Sequence, residues 1–150
     1  MKNLNEILGA IGCVLKPILL LAIRLYWGWH FCIFGWGKLT HLDKITGYFA
    51  SLGLPMPHLQ AIMAGSVECF GGAFLLLGLC ARIVSVPLMF TMTVAYLAAE
   101  RPALHAIFSN PDKFTGADPF LFLYAAVLIF VFGPGKISID AIFCEKTASE

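Results

Sequence analysis

The chain has 150 residues, 59% of them hydrophobic and 13% charged, with a formal net charge of +1. A soluble globule carries about half apolar and a quarter charged residues, so one domain with lipid as its main solvent is expected. The near-zero charge excludes a nucleic-acid partner, because neutralising phosphates requires a clustered excess of Lys and Arg.

In chain order, Leu4, Leu8, Ile11 and Leu15 repeat at spacings of three and four, which predicts a short amphipathic helix lying in the membrane interface. Glu6 and Lys16 bracket this weakly apolar stretch with no small-residue cleavage pattern after it, so it does not read as a cleavable signal. From Pro17 to Gly37 the sequence is apolar except for Arg24 and His30, about 20 residues or roughly 30 Å of helix, enough to cross a bilayer core. Leu42, Ile45, Phe49 and Leu52 then predict a second interfacial helix, stopped at Gly53 with Pro55 beyond it. The second span covers residues 60–80 with one charge, Glu68. A tight turn at Gly78 to Arg82 leads to the third, residues 83–99, which has none.

After a polar loop over residues 100–118, residues 119–133 form the fourth span, with Asp118 placed as N-cap and Pro119 at the first helical position. Gly133-Pro134-Gly135 ends it after about 15 residues, roughly 22 Å, which is short for a bilayer core of about 30 Å. The expected fold is an all-α integral membrane bundle of four helices with short interfacial amphipathic helices. Basic residues divide almost evenly between the two faces (Lys2, Lys16, Arg82, Lys136 and Lys146 against Lys38, Lys44, Arg101 and Lys113), so charge counting does not orient it.

Ionisable groups within a span cost several kcal/mol unless partnered, which singles out Arg24 and Glu68. Arg24, Gly28, Phe31, Gly35 and Lys38 share one face of the first span; Ala61, Gly65, Glu68 and Gly72 share one face of the second. Small residues let membrane helices approach closely, so the two stripes are expected to face each other, with Arg24 and Glu68 as a buried pair. That pair either fixes helix register or lines a cavity that binds the head group of a lipophilic substrate such as a quinone, or relays protons. Lys38 closes the stripe at the membrane edge as a snorkelling lysine. His30 lies on a different face, as a hydrogen-bonded core residue or a relay; haem is excluded because spans two to four hold no second histidine. Trp27 and Trp29 either pack the bundle or wall a flat-ring pocket, while Trp36 suits an interfacial anchor.

Five cysteines (Cys13, Cys32, Cys69, Cys80 and Cys144) show no CxxC pair and no Cys/His run at ligand spacing, so they read as small buried hydrophobes, with redox or structural-metal use as the alternative, and no metal site is singled out. No Ser/His/Asp order, phosphate loop or HExxH is present. In the tail, Ser138 and Asp140 can cap the segment from Asp140 to Cys144, and an Arg82 to Asp140 contact is expected to lock the second turn to the tail.

From near Ile18 to Asp140 the chain resembles the DoxX family. The markers, in order, are Arg24 with Gly35-Trp36-Gly37-Lys38-Leu39, Leu52-Gly53-Leu54-Pro55, Glu68 with Gly71-Gly72 and Leu77-Gly78, and Arg82. Met92 and Ala95, His105 with Phe108, Gly116 to Asp118 and Gly133-Pro134-Gly135-Lys136-Ile137-Ser138-Ile139-Asp140 follow. The resemblance implies a four-helix bacterial inner-membrane protein with both termini cytoplasmic and a link to membrane redox chemistry. Relatives are described as quinol-oxidase or thiosulfate:quinone oxidoreductase subunits, or as partners of sulfur-handling and superoxide-detoxifying enzymes. Where relatives often carry Glu before the fourth span, this chain has Ala117-Asp118. The expected function is an accessory or quinone-interacting subunit of a membrane oxidoreductase, with Lys38, His105 and Asp118 as accessories on the outer face. The alternative is a non-catalytic scaffold for partner proteins. Quinone is the one cofactor candidate; membrane lipid, redox enzymes and further copies of the chain are the candidate partners.

Overall fold

The computed structural model describes residues 2–142, and among them every regular element is a helix, with no strand. The elements are α1 (Lys2–Thr40), α2 (Leu42–Ser51), α3 (Pro57–Leu77), α4 (Ala81–Ala98), α5 (Arg101–His105), α6 (Pro111–Thr115) and α7 (Asp118–Phe132). A helical turn over residues 139–142 follows α7. Cys144, Lys146 and the end of the expected tail segment lie outside the described residues.

The four long helices form a ring in which α3 sits between α1 and α4, and α7 sits between α4 and α1. Phe31, Leu75, Ala81, Leu88, Met92, Ala126 and Ile129 fill its centre. α1, α3 and α4 are long and apolar enough to cross a membrane, and α7 is a shorter apolar helix of 15 residues. The chain is a multi-pass membrane protein, and its exposed large apolar side chains, such as Phe70, Ile83, Phe90 and Val131, face outward as lipid requires.

The expected interfacial helix and first span are one element. α1 runs for 39 residues straight through Pro17. A proline withholds one N–H and displaces one carbonyl, a defect that membrane helices absorb more readily than soluble ones. Residues 4–16 are all exposed, so the bundle receives α1 from about Leu20 onward. α2 matches its predicted pattern: Leu42, Ile45, Phe49 and Leu52 are the half-buried stripe packed toward α3. At the same end, the Tyr96 hydroxyl donates to the Phe114 carbonyl at 2.8 Å and the two rings stack at 4.8 Å, pinning α6 to α4.

Glycine sets the distance between α1 and α3. A Cβ on Gly35 would stand 2.2 Å from the Cys69 nitrogen and 2.7 Å from the Gly65 carbonyl; one on Gly72 would stand 2.6 Å from both the Cys32 nitrogen and the Gly28 carbonyl. The two backbones are therefore in direct contact, and the two small-residue stripes face each other as the spacing predicts. α3 ends at Gly78, left-handed at φ 67°, with Gly78 N–H donating to Leu75 and Leu79 N–H to Phe74. This 5→2 and 6→1 pairing is a Schellman end. α7 starts one residue earlier than predicted: Asp118 is its first residue, extended Ala117 takes the cap position, and no side-chain cap bond forms.

Candidate functional site at the seam of α1 and α3

Arg24 and Glu68 are both almost fully buried, at 2% and 1% exposure, but they do not pair. The glycine contacts set the register: Gly28 lies against Gly72 and Leu76, and Gly35 against Gly65 and Cys69. Glu68 is thus level with Gly35, and Arg24 lies 11 residues away along α1, about 16 Å of helical rise, beyond the reach of the two side chains.

Arg24 instead reaches the C-terminal end of α3. Its Nε donates to the Leu75 carbonyl at 2.9 Å and its Nη2 to Leu76 at 3.3 Å, while Nη1 donates to Pro134 at 2.6 Å and Ile137 at 3.0 Å. The last carbonyls of a helix have no partner within it and carry its negative dipole end, and the irregular chain after Gly133 has none in a helix at all. At membrane depth such carbonyls need a protein donor. Arg24 supplies a forked set of donors to both segments, so it satisfies backbone rather than a carboxylate. The same arrangement explains how a 15-residue α7 suffices: the segment after it stays docked under the bundle.

The expected lock between Arg82 and Asp140 is also corrected. Asp140 accepts from the backbone N–H groups of Cys80 at 2.7 Å and Ala81 at 3.0 Å, capping α4, while its own N–H donates to the Gly78 carbonyl at 3.0 Å. The N–H groups at the start of α4, at the positive end of its dipole, hold this carboxylate in place of the Arg82 side chain. Arg82 lies along Gly133, where a Cβ would be 3.3 Å from its Nε. Ser138 fulfils its predicted role: its Oγ accepts from the Ala141 N–H at 3.1 Å and donates to the Gly135 carbonyl at 2.8 Å. Arg24, Asp140 and Ser138 together tie the turn from α3 to α4 to the tail.

Glu68 takes Lys38 as its partner, and this is the one ion pair among the described residues. Lys38 is one turn beyond Gly35, so its stem runs back along the seam and brings Nζ to Glu68 Oε2. The glutamate side chain is 2% exposed and the lysine 25%. The lysine that the sequence placed at the membrane edge is therefore the inner carboxylate's counter-ion, reached from the end of the bundle where α1 stops and α3 starts.

The other sequence candidates do not join this pair. His30 Nδ1 lies 2.8 Å from the Tyr26 carbonyl, which can only accept, so Nδ1 is the donor in that bond. Its ring is half-buried at 4.3 Å from Tyr26 and 5.8 Å from Trp27. Trp27 packs edge-on against Phe122 of α7 at 4.9 Å, which makes it a packing residue, whereas Trp29 and Trp36 are exposed. His105 is exposed at the end of α5. Asp118 lines a surface cavity of about 400 Å³ together with Glu100, Ala103, Asp112, Lys113, Gly116 and Ala117. Among the described residues no group of three His, Cys, Asp or Glu side chains could hold a metal ion. Sequence reading missed the neighbouring thiols Cys32 and Cys69 at the same seam; the signal for them was their position flanking the two small-residue stripes.

No solved structure matches the chain. Similarity to proteins of known sequence is clearer. The inner membrane protein YphA of Escherichia coli strain K12 is 32% identical over 126 residues, covering 83% of this chain and 90% of that protein. The uncharacterized membrane protein Rv3486 of Mycobacterium tuberculosis is 32% identical over 136 residues, covering 83% of this chain and 80% of its own length. The DoxX family model matches residues 19–101, the stretch that holds Arg24, the glycine seam, Lys38 and Glu68. With the helical membrane architecture and the ordered motifs, this places the chain in the DoxX family.

Proposed function

We propose that this chain is an accessory, quinone-interacting subunit of a membrane oxidoreductase system, and that the Lys38–Glu68 pair is its point of contact with the head group. One observation carries the reading: a carboxylate buried midway along a membrane helix has as its ion-pair partner an ammonium that stays a quarter exposed. Intramembrane charges are costly and are retained at substrate and proton pathways. Lys38 offers N–H donors to a carbonyl-type acceptor, and Glu68 is placed to take or return a proton when the lysine turns to that acceptor. Arg24 is not part of this site, because its donors are engaged by backbone carbonyls. Such a subunit resides in the bacterial inner membrane. Four crossings by α1, α3, α4 and α7 put both chain termini on one side, which we assign to the cytoplasm; a reporter fused to the C-terminus and active only in the periplasm tests that assignment.

The binding test uses purified protein in nanodiscs with decylubiquinone as probe, read by equilibrium dialysis. Glu68→Gln and Lys38→Met are expected to weaken binding at least tenfold while Arg101→Ala leaves it unchanged. Equal retention by all four proteins refutes the reading.

The scaffold alternative has its own observation. α1 continues beyond the bundle with Leu4, Ile7, Leu8, Ile11, Val14 and Leu15 exposed, a continuous apolar flank free for lipid or for a partner helix. A stoichiometric partner recovered by cross-linking from Cys13, with no quinone retained, favours the scaffold.

A further inference from the structure

We propose that Cys32 and Cys69 are a redox-active thiol pair, able to close a disulfide that bonds α1 to α3 beside Glu68. The Cys32 thiol lies across the seam and donates to the Cys69 carbonyl at 3.3 Å. The seam is a place of backbone contact: a Cβ on Gly35, one turn from Cys32, would stand 2.7 Å from the Cys69 Cα, and one on Gly72 would stand 2.6 Å from the Cys32 nitrogen. A disulfide needs Cα atoms within about 7 Å, and backbone contact at Gly35 and Gly72 draws the two helices together on either side of the cysteines, where helices packed through larger side chains keep their axes about 8–10 Å apart. Both cysteines are free and half-buried on the flank of the seam, so a reagent dissolved in lipid reaches them. The other described cysteines lie elsewhere, Cys13 on the projecting part of α1 and Cys80 in the turn before α4.

In the step, the two S–H bonds break and one S–S bond forms. Two electrons and two protons pass to a lipid-permeant two-electron acceptor of the azodicarbonyl or quinone class, which leaves as the hydrazine or the quinol. Because Cys69 follows Glu68 in α3, closure fixes the seam that carries the Lys38–Glu68 pair. This thiol chemistry goes beyond the quinone reading and does not depend on it, since an azodicarbonyl oxidant tests it alone.

The test uses the full chain in nanodiscs with Cys13, Cys80 and Cys144 changed to alanine, treated with diamide, then unfolded and labelled with a maleimide-polyethylene glycol. Both labels present before treatment are expected to disappear from the monomer, with a mass loss of two hydrogens, and dithiothreitol should restore them. Adding Cys32→Ala or Cys69→Ala should leave one label after treatment. Retention of both labels, or their loss only in cross-linked dimers, overturns the proposal. Peptide mapping of the diamide-treated wild-type chain is the check without any substitution: a Cys32–Cys69 linkage is expected, and its absence likewise overturns the proposal.

Discussion

Replacing Arg24 by methionine keeps a long, flexible side chain in the same buried space and removes every donor it offers. Four carbonyls lose a bond: Leu75 and Leu76 at the end of α3, and Pro134 and Ile137 in the tail. The Leu75 carbonyl keeps the Gly78 N–H and the Leu76 bond is the longest, so the main loss falls on the two tail carbonyls. Interhelical hydrogen bonds in membranes average about 0.6 kcal/mol, which sets a floor near 2 kcal/mol for four. Leaving buried acceptors unpaired costs about 1–3 kcal/mol each, which raises the expected loss to about 2–5 kcal/mol. Reversible unfolding in mixed detergent micelles, followed by circular dichroism, measures it, and amide exchange locates it. Exchange should accelerate over residues 135–140 and around Gly78 while the centre of α3 stays protected. Arg24→Lys should fall between, since one ammonium cannot span both segments as a guanidinium fork does. A methionine variant within about 0.5 kcal/mol of wild type, with unchanged tail exchange, would show that Arg24 does not hold the tail.

Gly35→Ala places a Cβ 2.2 Å from the Cys69 nitrogen and should cost about 1–3 kcal/mol, whereas Gly37→Ala, with nothing within 4 Å, should be neutral or gain up to about 1 kcal/mol; equal effects in the same unfolding assay would refute the seam. Glu68→Met alone leaves the Lys38 ammonium without its partner, so the double variant Lys38→Met/Glu68→Met should be more stable than either single one; additive losses would show that the two side chains are not coupled. Asp140→Ala removes the cap of α4, with an expected loss of about 1 kcal/mol and faster exchange at the Cys80 and Ala81 amides, while Arg82→Ala should leave those amides protected.

Much of this protein follows from local pattern. Apolar runs of bilayer length announce the long helices, and the spacing of Leu42, Ile45, Phe49 and Leu52 announces the face that α2 turns toward α3. The glycine stripes show which faces of α1 and α3 meet, because only small residues allow that approach. The same pattern marks Arg24 and Glu68 as groups that need partners. It does not name the partners. Glycines recur along each stripe at intervals of seven residues, so the pattern specifies a face but leaves the axial position of one helix on the other free to slide by two turns. Tertiary packing sets Gly35 against Cys69, and that single choice moves Arg24 out of reach of Glu68 and brings Lys38 to it. The partners of Arg24 at Pro134 and Ile137 lie 110 and 113 residues away in sequence and are backbone carbonyls, which every residue has and no side-chain pattern marks. The sequence by itself determined the membrane helices, the faces that meet and the charges requiring compensation. Only the tertiary structure decided how each charge is compensated, because that depends on axial register and on which carbonyls the end of a short α7 leaves without donors.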